Sequence, residues 1–371
     1  MKVCFVGLDA LPVLAREYNR HGTGGEQVQH TLLARALALR GFDVSMVAYD
    51  YGQPDGAEWD KVRTWRAYRR DAGLPVLRFL HPRWTALRAA LRRADADVYY
   101  VSCAGAQVGQ VAHFARPRSR RVVFRIAHDL DCDPDLPLLR FWRDKQLYRY
   151  GLNRASSILV QGVRQQEALQ RNFGLSSTVA GMLVEPARLD LGFGARDVEV
   201  LWVNNLRDFK RPDRFLTLAG TLPTLGSHMI GGPVSGFEGQ FESISREAAA
   251  IPSLTFHGRV PYHDVNDFYE RARVFVNTSD SEGFPNSYLQ AWVRGTPVVA
   301  FFDPDGLIAR EGLGAAVSSD EEMRAAVLRL AIDEPAWRET SERCKAYMRR
   351  HVDEGLILRP YLAALRGEPK Q

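Results

Sequence analysis

Residues 273–301 read RVFVN-TSDSEGFP-NSYLQAWVR-GT-PVVAF, and they place a polar loop and a helical pattern between two apolar runs. The apolar runs at 273–277 and 297–301 have the length and composition of buried strands. The residues between them, 286–294, are predicted to form a helix. A strand, a helix and a second strand make a βαβ unit, whose two strands lie parallel in one sheet.

The same alternation of strands and helices occurs in two series along the chain. The first series has predicted strands at 2–7, 44–48, 98–102, 121–127 and 157–161, with a helix at 27–40. The second has strands at 198–203, 227–230, 254–257, 273–277 and 297–301, with helices at 212–220, 263–271, 286–294 and 320–331. A chain of 371 residues exceeds what one hydrophobic core usually serves. We therefore expect an α/β protein of two Rossmann-like domains facing across a cleft.

The segment 184–196 contains a proline and two glycines, and the interdomain connection is predicted there. The expected domains are 1–185 and 196–345, followed by a helical, amphipathic segment at 346–371 that returns to the first domain. In open parallel sheets, ligands bind beyond the carboxyl ends of the strands. Residues in the loops that follow strands are thus the first candidates for function.

Charge is divided unevenly between the two halves. Residues 1–190 carry 28 Lys and Arg against 19 Asp and Glu, a net +9, whereas residues 191–371 carry 21 against 25, a net −4. The basic half could attract anionic lipid, although a solvated arginine-rich surface is the alternative. The apolar runs are far shorter than the roughly 20 residues of a membrane span, and the N-terminus is not typical of a signal peptide. We expect a cytoplasmic protein, with peripheral contact at the inner face of the membrane.

Two loops of the first domain carry candidate binding residues. Residues 21–26, which read HGTGGE, contain paired glycines whose amides would suit a phosphate at a helix start, or would form a plain turn or cap. His128 follows a predicted strand and could donate a hydrogen bond to a sugar hydroxyl or a phosphate. Alternatively, His128 makes a structural hydrogen bond or binds a metal ion with Asp129, Asp131 and Asp133, but the pattern lacks the glycine and glutamate of a calcium loop.

Two loops of the second domain carry the remaining candidates. Arg207, Lys210 and Arg211 lie between a strand end and a helix start, where their charge would neutralise a diphosphate without a metal ion, or would simply face solvent. Glu282 falls in the loop of the opening stretch, and Gln290 follows it by eight residues. That separation would let the two side chains reach different parts of one ligand, whereas helix capping is the alternative for Glu282 and Asn286.

Taken together, these motifs resemble the retaining family 4 glycosyltransferases of the GT-B fold over nearly the whole chain. Gly24-Gly25-Glu26 is similar to the glycine loop of the family, Lys210 to its phosphate-binding lysine, and residues 282–286 to its E-G-F-P loop. The resemblance implies that Glu282 contacts the donor sugar, as the first acid of the E-x7-E motif does. Gln290 stands where that motif has its ribose-binding glutamate, and Asn205 stands where the family has an arginine.

The resemblance also assigns roles to His128 and to residues 257–259. His128 matches a histidine that approaches the donor sugar, and His257-Gly258-Arg259 resembles the loop that touches the nucleobase. The reaction implied retains the anomeric configuration, since the leaving diphosphate takes the proton of the acceptor. The expected catalytic residues are therefore His128, Lys210 and Glu282. The expected donor-binding residues are Gly24, Gly25, Asn205, Arg207, Lys210, His257, Gly258, Arg259, Glu282, Gly283, Phe284, Pro285, Asn286 and Gln290.

These observations predict a metal-independent hexosyltransferase that moves a sugar from a UDP- or GDP-linked donor to a saccharide or lipid-linked acceptor. Synthesis of a cell-surface polysaccharide or glycoconjugate would be its setting, with no cofactor besides the nucleotide-sugar. A UDP-sugar 2-epimerase and a non-catalytic nucleotide-sugar-binding protein are the alternatives. A glycoside hydrolase is disfavoured because Glu282 has no evident acid partner, and nucleic acid is disfavoured because no aromatic stacking motif accompanies the arginines.

Overall fold

The computed structural model describes residues 1–19, 24–233, 238–351 and 353–368, and of Glu238 only the backbone. The chain divides into two units. The first comprises Met1–Leu183 together with Glu354–Gln371, and the second comprises Val184–Asp353. Residues 21–23 of the predicted glycine loop lie outside the described part of the chain.

The first unit is built on a mainly parallel sheet. Its elements are β1 (Lys2–Val6), α1 (Leu11–Leu14), α2 (Gly25–Leu39), β2 (Asp43–Ala48), β3 (Glu58–Trp59), β4 (Val62–Arg66), α3 (Thr85–Ala94), β5 (Val98–Ser102), α4 (Ala106–Ala115), β6 (Arg121–Arg125), α5 (Trp142–Leu152), β7 (Ser157–Val160), α6 (Val163–Phe173) and β8 (Thr178–Val179). The strand order is β3-β4-β2-β1-β5-β6-β7-β8. Only the β3–β4 pair is antiparallel among the described strands.

The second unit has a parallel sheet of the same kind. Its elements are β9 (Val198–Val203), α7 (Pro212–Gly220), β10 (Ser227–Ile230), α8 (Glu238–Ala249), β11 (Leu254–Phe256), α9 (Tyr262–Arg271), β12 (Ala272–Asn277), α10 (Asn286–Trp292), β13 (Val298–Ala300), α11 (Leu307–Glu311), β14 (Gly314–Ala316), α12 (Asp320–Ile332) and α13 (Glu334–His351). The strand order is β11-β10-β9-β12-β13-β14. The prediction of two Rossmann-like sheets is thus confirmed.

The strands that the sequence did not predict are short or polar. In β4, Val62 and Thr64 are buried whereas Arg63 is exposed, so the buried face includes a hydroxyl and lacks an apolar run. In β14, Gly314 has a φ of +143°, and a β-carbon there would lie 1.8 Å from the carbonyl oxygen of Val298. Because only glycine allows this close pairing with β13, residues 314–316 carry no side-chain signal of a strand.

The C-terminal segment forms two helices that belong to different units. Helix α13 is anchored in the second unit, where the Trp337 indole donates to the carbonyl oxygen of Arg273 over 2.9 Å. Helix α14 (Glu354–Arg366) belongs to the first unit, and the Tyr361 hydroxyl donates to the carbonyl oxygen of Gly181 over 2.7 Å. The returning segment therefore begins at Glu354 and not at 346, since α13 continues through that position.

A buried arginine ties the connecting segment to the second unit. The Arg196 side chain is 1% exposed and donates to the carbonyl oxygens of Leu191, Ala272 and Arg294 and to the Thr296 hydroxyl. Burial lowers the pKa of Arg196 to about 10, which leaves its guanidinium charged at neutral pH. In the part of the chain that the structure describes, no helix is long and apolar enough to cross a membrane.

Helices α4 and α5 of the first unit approach closely at two glycines. A β-carbon at Gly109 would lie 2.3 Å from the carbonyl oxygen of Leu147. A β-carbon at Gly151 would lie 2.6 Å from the carbonyl carbon of Val108. Both contacts are with backbone atoms, which cannot move aside as a flexible side chain can.

We expect Gly151→Ala to lower the free energy of unfolding by about 2–3 kcal/mol, because the added methyl forces α4 and α5 apart. The matched control is Gly220→Ala in α7, where a β-carbon meets no atom within 4 Å. That control should be neutral or stabilising by up to ~1 kcal/mol. Urea denaturation followed by circular dichroism measures both, and equal midpoints for the two variants would contradict the prediction.

Candidate active site

Two loops of the second unit meet beyond the carboxyl ends of β9 and β12, which are neighbours in the sheet. The Trp202 indole donates to the Thr278 hydroxyl over 2.9 Å. That hydroxyl lies 2.9 Å from the carbonyl oxygen of Lys210 and 2.8 Å from that of Arg211, and donates toward both. One buried threonine therefore fixes the backbone at the end of the 204–211 loop.

Further contacts join the same two loops. The Asp280 amide donates to the carbonyl oxygen of Phe209 over 2.9 Å. The Asp280 carboxylate accepts from Arg214 at 3.0 Å and lies 3.6 Å from the Arg211 guanidinium. The loop after β12 is thus held against the loop after β9 by both backbone and side-chain interactions.

The consequence is an ion pair between Lys210 and Glu282, which are 72 residues apart in sequence. The Lys210 ammonium contacts the Glu282 carboxylate, and the two side chains are 15% and 9% exposed. A cation and a carboxylate held side by side at the end of a parallel sheet can bind two different groups of one ligand. The cation suits phosphate oxygens, and the carboxylate accepts hydrogen bonds from hydroxyls.

The other cations predicted for this site differ from Lys210. The Arg211 guanidinium is bound by Asp213, at 2.7 Å, in addition to Asp280. Arg207 is exposed and precedes the short turn formed by residues 208–210. Asn205 is half-buried in the same loop. Of the three cations, the structure brings only Lys210 into contact with Glu282.

The remaining residues of the 282–290 stretch lie at the start of α10. Pro285 immediately precedes this helix and Asn286 is its first residue, while Gly283 is half-buried. The ring of Phe284 packs edge-on against Trp292, with centroids 6.4 Å apart. Gln290 lies one turn into the helix, half-buried, and its amide nitrogen donates to Asn266 of α9 over 3.1 Å.

The predicted nucleobase loop follows β11 and is held against the residues after β10. The His257 amide donates to the carbonyl oxygen of Met229, and the Gly231 amide to that of Gly258, each over 2.9 Å. Gly258 has a φ of +62°, which favours glycine. The Arg259 guanidinium donates to the carbonyl oxygen of Pro233 over 2.8 Å.

His257 stacks on His228 of β10, with ring centroids 5.2 Å apart, and its Nε2 lies 3.0 Å from His228 Nδ1. Burial lowers the pKa of His228, and the charges of His257 and Arg271 lower it further. Burial, followed by the charge of Arg271, also lowers the pKa of His257. At least one ring must be neutral for a hydrogen bond between the two nitrogens, so the folded state disfavours double protonation.

In the first unit, the fold fixes the tautomer of His128. The Leu130 amide donates to His128 Nδ1 over 3.1 Å, which makes this nitrogen the acceptor. A neutral His128 therefore carries its proton on Nε2 and is a hydrogen-bond donor there. The Asp131 carboxylate, 2% exposed, accepts from the Ala127 and His128 amides over 3.2 and 3.1 Å, and burial raises its pKa to about 6.

The acidic residues after His128 are engaged in local hydrogen bonds. The Asp129 carboxylate accepts from the side-chain nitrogen of Gln165 over 2.9 Å, and the Asp133 carboxylate accepts from the backbone amide of Asp135 over 2.7 Å. Together with the bonds of Asp131, these contacts make the run a structured turn. Over the described residues, no group of three His, Cys, Asp or Glu side chains is placed to hold a metal ion.

Gly24 and Gly25 lie at the start of α2. The Gly24 amide donates to the side-chain oxygen of Gln27 over 2.8 Å, so in the structure the Gln27 side chain caps this amide at the start of the helix. Gly25 is the first helical residue and is exposed. Desolvation raises the pKa of the adjacent Glu26 to about 7, against a hydrogen bond to Cys103 that lowers it.

Sequence reasoning missed the residues that support the site. Trp202 lies within the predicted strand 198–203 and Thr278 directly after the predicted strand 273–277, and neither was predicted to join the two loops. Asn266 lies within the predicted helix 263–271, where its 2% exposure has no signal in the sequence. Glu185 falls in the predicted connecting segment.

Two family models match most of the chain. A model described as "Glycosyl transferase 4-like domain" matches residues 24–180, and one described as "Glycosyl transferases group 1" matches residues 200–333. The chain is also similar to the alpha-galactosylglucosyldiacylglycerol synthase of Streptococcus pneumoniae, with 26% identity over 175 residues. This match covers 46% of the chain and 46% of the synthase, so it spans less than half the length of this relative.

Solved structures share the fold over the full length of the chain. Sucrose-phosphate synthase from Thermosynechococcus elongatus matches with a TM-score of 0.77 at 18% identity, covering 98% of each chain. Anabaena HepE, solved in complex with UDP and glucose, matches with a TM-score of 0.73 at 13% identity, covering 99% of each chain. At these identities the likeness concerns the fold, which is GT-B.

The stacked histidines predict a pH dependence of stability. Because the pKa values of His228 and His257 are depressed in the fold, their contribution is present above the unfolded pKa of about 6.5 and is lost as pH falls toward the depressed values. We expect His228→Gln to lose less thermal stability than the wild type between about pH 7.5 and 5.5. The exposed His113→Gln serves as control and should follow the wild type. Equal losses in Tm for His228→Gln and wild type would contradict the prediction.

Proposed function

Because the chain belongs to the family 4 type of GT-B glycosyltransferases, we propose that it moves a sugar from a UDP- or GDP-linked donor to a saccharide or lipid-linked acceptor. The contact between Lys210 and Glu282 is the observation that carries the proposal. The diphosphate of the donor would accept hydrogen bonds from Lys210, and the hydroxyls of the donor sugar would donate to Glu282. The ion pair keeps both side chains in place before the donor exchanges it for its own contacts.

The proposed reaction retains the anomeric configuration. The acceptor oxygen forms a bond to the anomeric carbon on the face that the diphosphate leaves. The electron pair of the breaking carbon–oxygen bond passes to the diphosphate oxygen, which takes the proton of the acceptor hydroxyl. The ammonium of Lys210 stabilises the charge that develops on the diphosphate, and the exposed Arg207 adds to it, so the proposal needs no metal ion.

His128 fits the role of a neutral donor to a sugar hydroxyl. Its Nδ1 is occupied by the Leu130 amide, so the proton that it can offer is on Nε2. The Asp131 carboxylate accepts a hydrogen bond from the His128 backbone amide and thereby holds the backbone from which the ring projects. This arrangement supports binding and orientation of a substrate and assigns no proton transfer to the ring.

A surface of the first unit supports an acceptor at an anionic membrane. Two segments, 74–84 and 138–143, expose large apolar side chains, and they meet where the Arg143 guanidinium lies 3.4 Å from the centre of the Phe79 ring. The exposed apolar residues are Leu74, Val76, Leu77, Leu80, Leu138, Phe141 and Trp142. The arginines among and beside them are Arg69, Arg70, Arg78, Arg83, Arg140 and Arg143. Apolar side chains interspersed with cations are typical of surfaces that bind the boundary of an anionic bilayer. The name of the pneumococcal relative, a diacylglycerol glycolipid synthase, points the same way.

We expect isothermal titration calorimetry to detect binding of UDP or GDP, with an affinity unaffected by EDTA. Lys210→Met should weaken this binding about tenfold, because it removes a charge-assisted hydrogen bond to the diphosphate. Arg211→Met is the matched control, since Asp213 and Asp280 already engage that cation. Absence of nucleotide binding, binding that EDTA abolishes, or equal affinities of Lys210→Met and wild type would each count against the proposal.

Glu282→Gln should lower the rate of sugar transfer by about 100-fold or more while the protein stays folded, because the negative charge and one of the two acceptor oxygens are lost at the reacting group. Transfer of radiolabelled sugar from the nucleotide-sugar that binds, to a panel of glycolipid and saccharide acceptors, gives the rate. The exposed Glu321→Gln is the control. Transfer at the wild-type rate by folded Glu282→Gln would refute its assignment.

For the membrane surface, we expect co-flotation with phosphatidylglycerol-containing vesicles, weaker flotation with pure phosphatidylcholine, and release at high salt. Replacing Leu77 and Trp142 together by Ser should reduce binding at least about tenfold, because two exposed apolar side chains no longer enter the interface. The matched control replaces Leu189 and Ile332 of the second unit, which are similarly exposed, by Ser. Equal flotation of both double variants would overturn this part of the proposal.

A further inference from the structure

A chain of hydrogen bonds leads from Gln290 to a carboxylate on the connecting segment. Gln290 Nε2 donates to Asn266 Oδ1 over 3.1 Å, and Asn266 Nδ2 donates to Glu185 Oε2 over 2.8 Å. Asn266 is 2% exposed and lies between the other two side chains, which are half-buried. All three residues belong to the second unit. The resemblance to the family assigns a role to Gln290 alone, so the other two residues require their own explanation.

The donor and acceptor of each hydrogen bond in this series are determined by the carboxylate of Glu185. As a carboxylate, Glu185 can only accept hydrogen bonds, so Asn266 must turn its NH2 group toward it. The carbonyl oxygen of Asn266 then faces Gln290, so Gln290 must donate to it from its own NH2 group. The side-chain oxygen of Gln290, Oε1, is consequently the atom that points away from Asn266 and can accept from a ligand.

We propose that Glu185 and Asn266 are positioning residues that orient Gln290 so that its Oε1 accepts hydrogen bonds from the ribose hydroxyls of the donor. The inference rests on the proposed function, because it takes Gln290 to lie at the ribose. An amide that was free to turn would offer hydroxyls either its oxygen or its NH2 group. Fixing the orientation in advance removes that choice and the entropy lost in making it.

The hydrogen bonds of Asn266 also explain why a glutamine occupies position 290. A carboxylate at 290 would face the Asn266 carbonyl oxygen, and two acceptors in contact repel each other. If Asn266 turned over to donate to the new carboxylate, its oxygen would face Glu185 instead. One asparagine cannot donate on both sides, so Gln290→Glu is incompatible with Glu185 as a carboxylate.

The conflict disappears when the carboxylate is moved from position 185 to position 290 and the amide from 290 to 185. In the double variant Gln290→Glu with Glu185→Gln, Asn266 would donate to the carboxylate at 290 and accept from the amide at 185. Every hydrogen bond of the chain is then restored in the opposite direction. The carboxylate at 290 still offers an acceptor oxygen to the ribose.

The test measures the dissociation constant of the nucleoside diphosphate that the wild type binds, and that of its 2′,3′-dideoxy analogue, by calorimetry. Gln290→Glu should weaken binding of the ribonucleotide about tenfold, which corresponds to about 1.4 kcal/mol, and the double variant should recover to within about threefold of wild type. The dideoxy analogue should bind wild type and Gln290→Glu alike, because the contact in question is with the missing hydroxyls. Lys210→Met is the matched control, since it should weaken both ligands equally.

Glu185→Gln alone gives an independent measurement on a half-buried side chain, where the isosteric change preserves folding. It removes the constraint on direction, so ribonucleotide binding should weaken several-fold while binding of the dideoxy analogue stays the same. Wild-type affinity of Gln290→Glu and Glu185→Gln for the ribonucleotide, or equal losses for both ligands, would overturn this inference while the proposed function stands. Failure of the wild type to bind any nucleotide would overturn both.

Discussion

The hydroxyl of Thr278 holds together the two loops on which the candidate site is built. It accepts from the Trp202 indole and donates toward the carbonyl oxygens of Lys210 and Arg211. Since a buried polar group left without a partner costs about 1–3 kcal/mol, these hydrogen bonds favour the arrangement in which all four groups are paired. The same hydroxyl lies against the carbonyl oxygen of Lys210, at the end of the short helical turn 208–210, and so helps to place the lysine that contacts Glu282.

Buried charges in the second unit fall into two kinds. Arg196 is surrounded by carbonyl oxygens and a hydroxyl, and Arg294 lies 3.6 Å from Glu270 with both side chains almost fully buried. These groups have protein partners that a ligand would not replace. Arg196 joins the connecting segment to the first residue of β12, and Arg294 joins α9 to the residues between α10 and β13. Lys210 and Glu282 are slightly more exposed and lie at the end of the strands, where a ligand can take over their interaction.

The predictable part of the fold was the part with a regular apolar pattern. Strands β1, β2, β5, β6 and β7 and the strands β9 to β13 were found near their observed positions, because buried parallel strands are short runs of Val, Ile, Phe and Leu. Strand β4 was missed because its buried face includes the polar Thr64. Strand β14 was missed because its close pairing with β13 requires a glycine at 314, and glycine is not a residue typical of strands. The division of the C-terminal segment into α13 and α14 was missed because both helices are amphipathic and the pattern continues across the break.

For the site, the order of residues along the chain is enough to establish which residue types follow which strands: Lys210 after β9, Glu282 and Gln290 after β12, and His128 after β6. Local order along the chain suffices for this, since each residue is placed by its own strand. The partners of Lys210 and Gln290 could not be predicted in this way, because they come from distant segments that are brought together by folding. Lys210 meets Glu282, and Gln290 is oriented by Asn266 and Glu185. The His128 ring is the exception, because its Nδ1 accepts from the amide of Leu130 in the same turn. A hydrogen bond needs a donor on one residue and an acceptor on another. The strand order in the sheet determines which loops lie side by side and therefore which donors meet which acceptors.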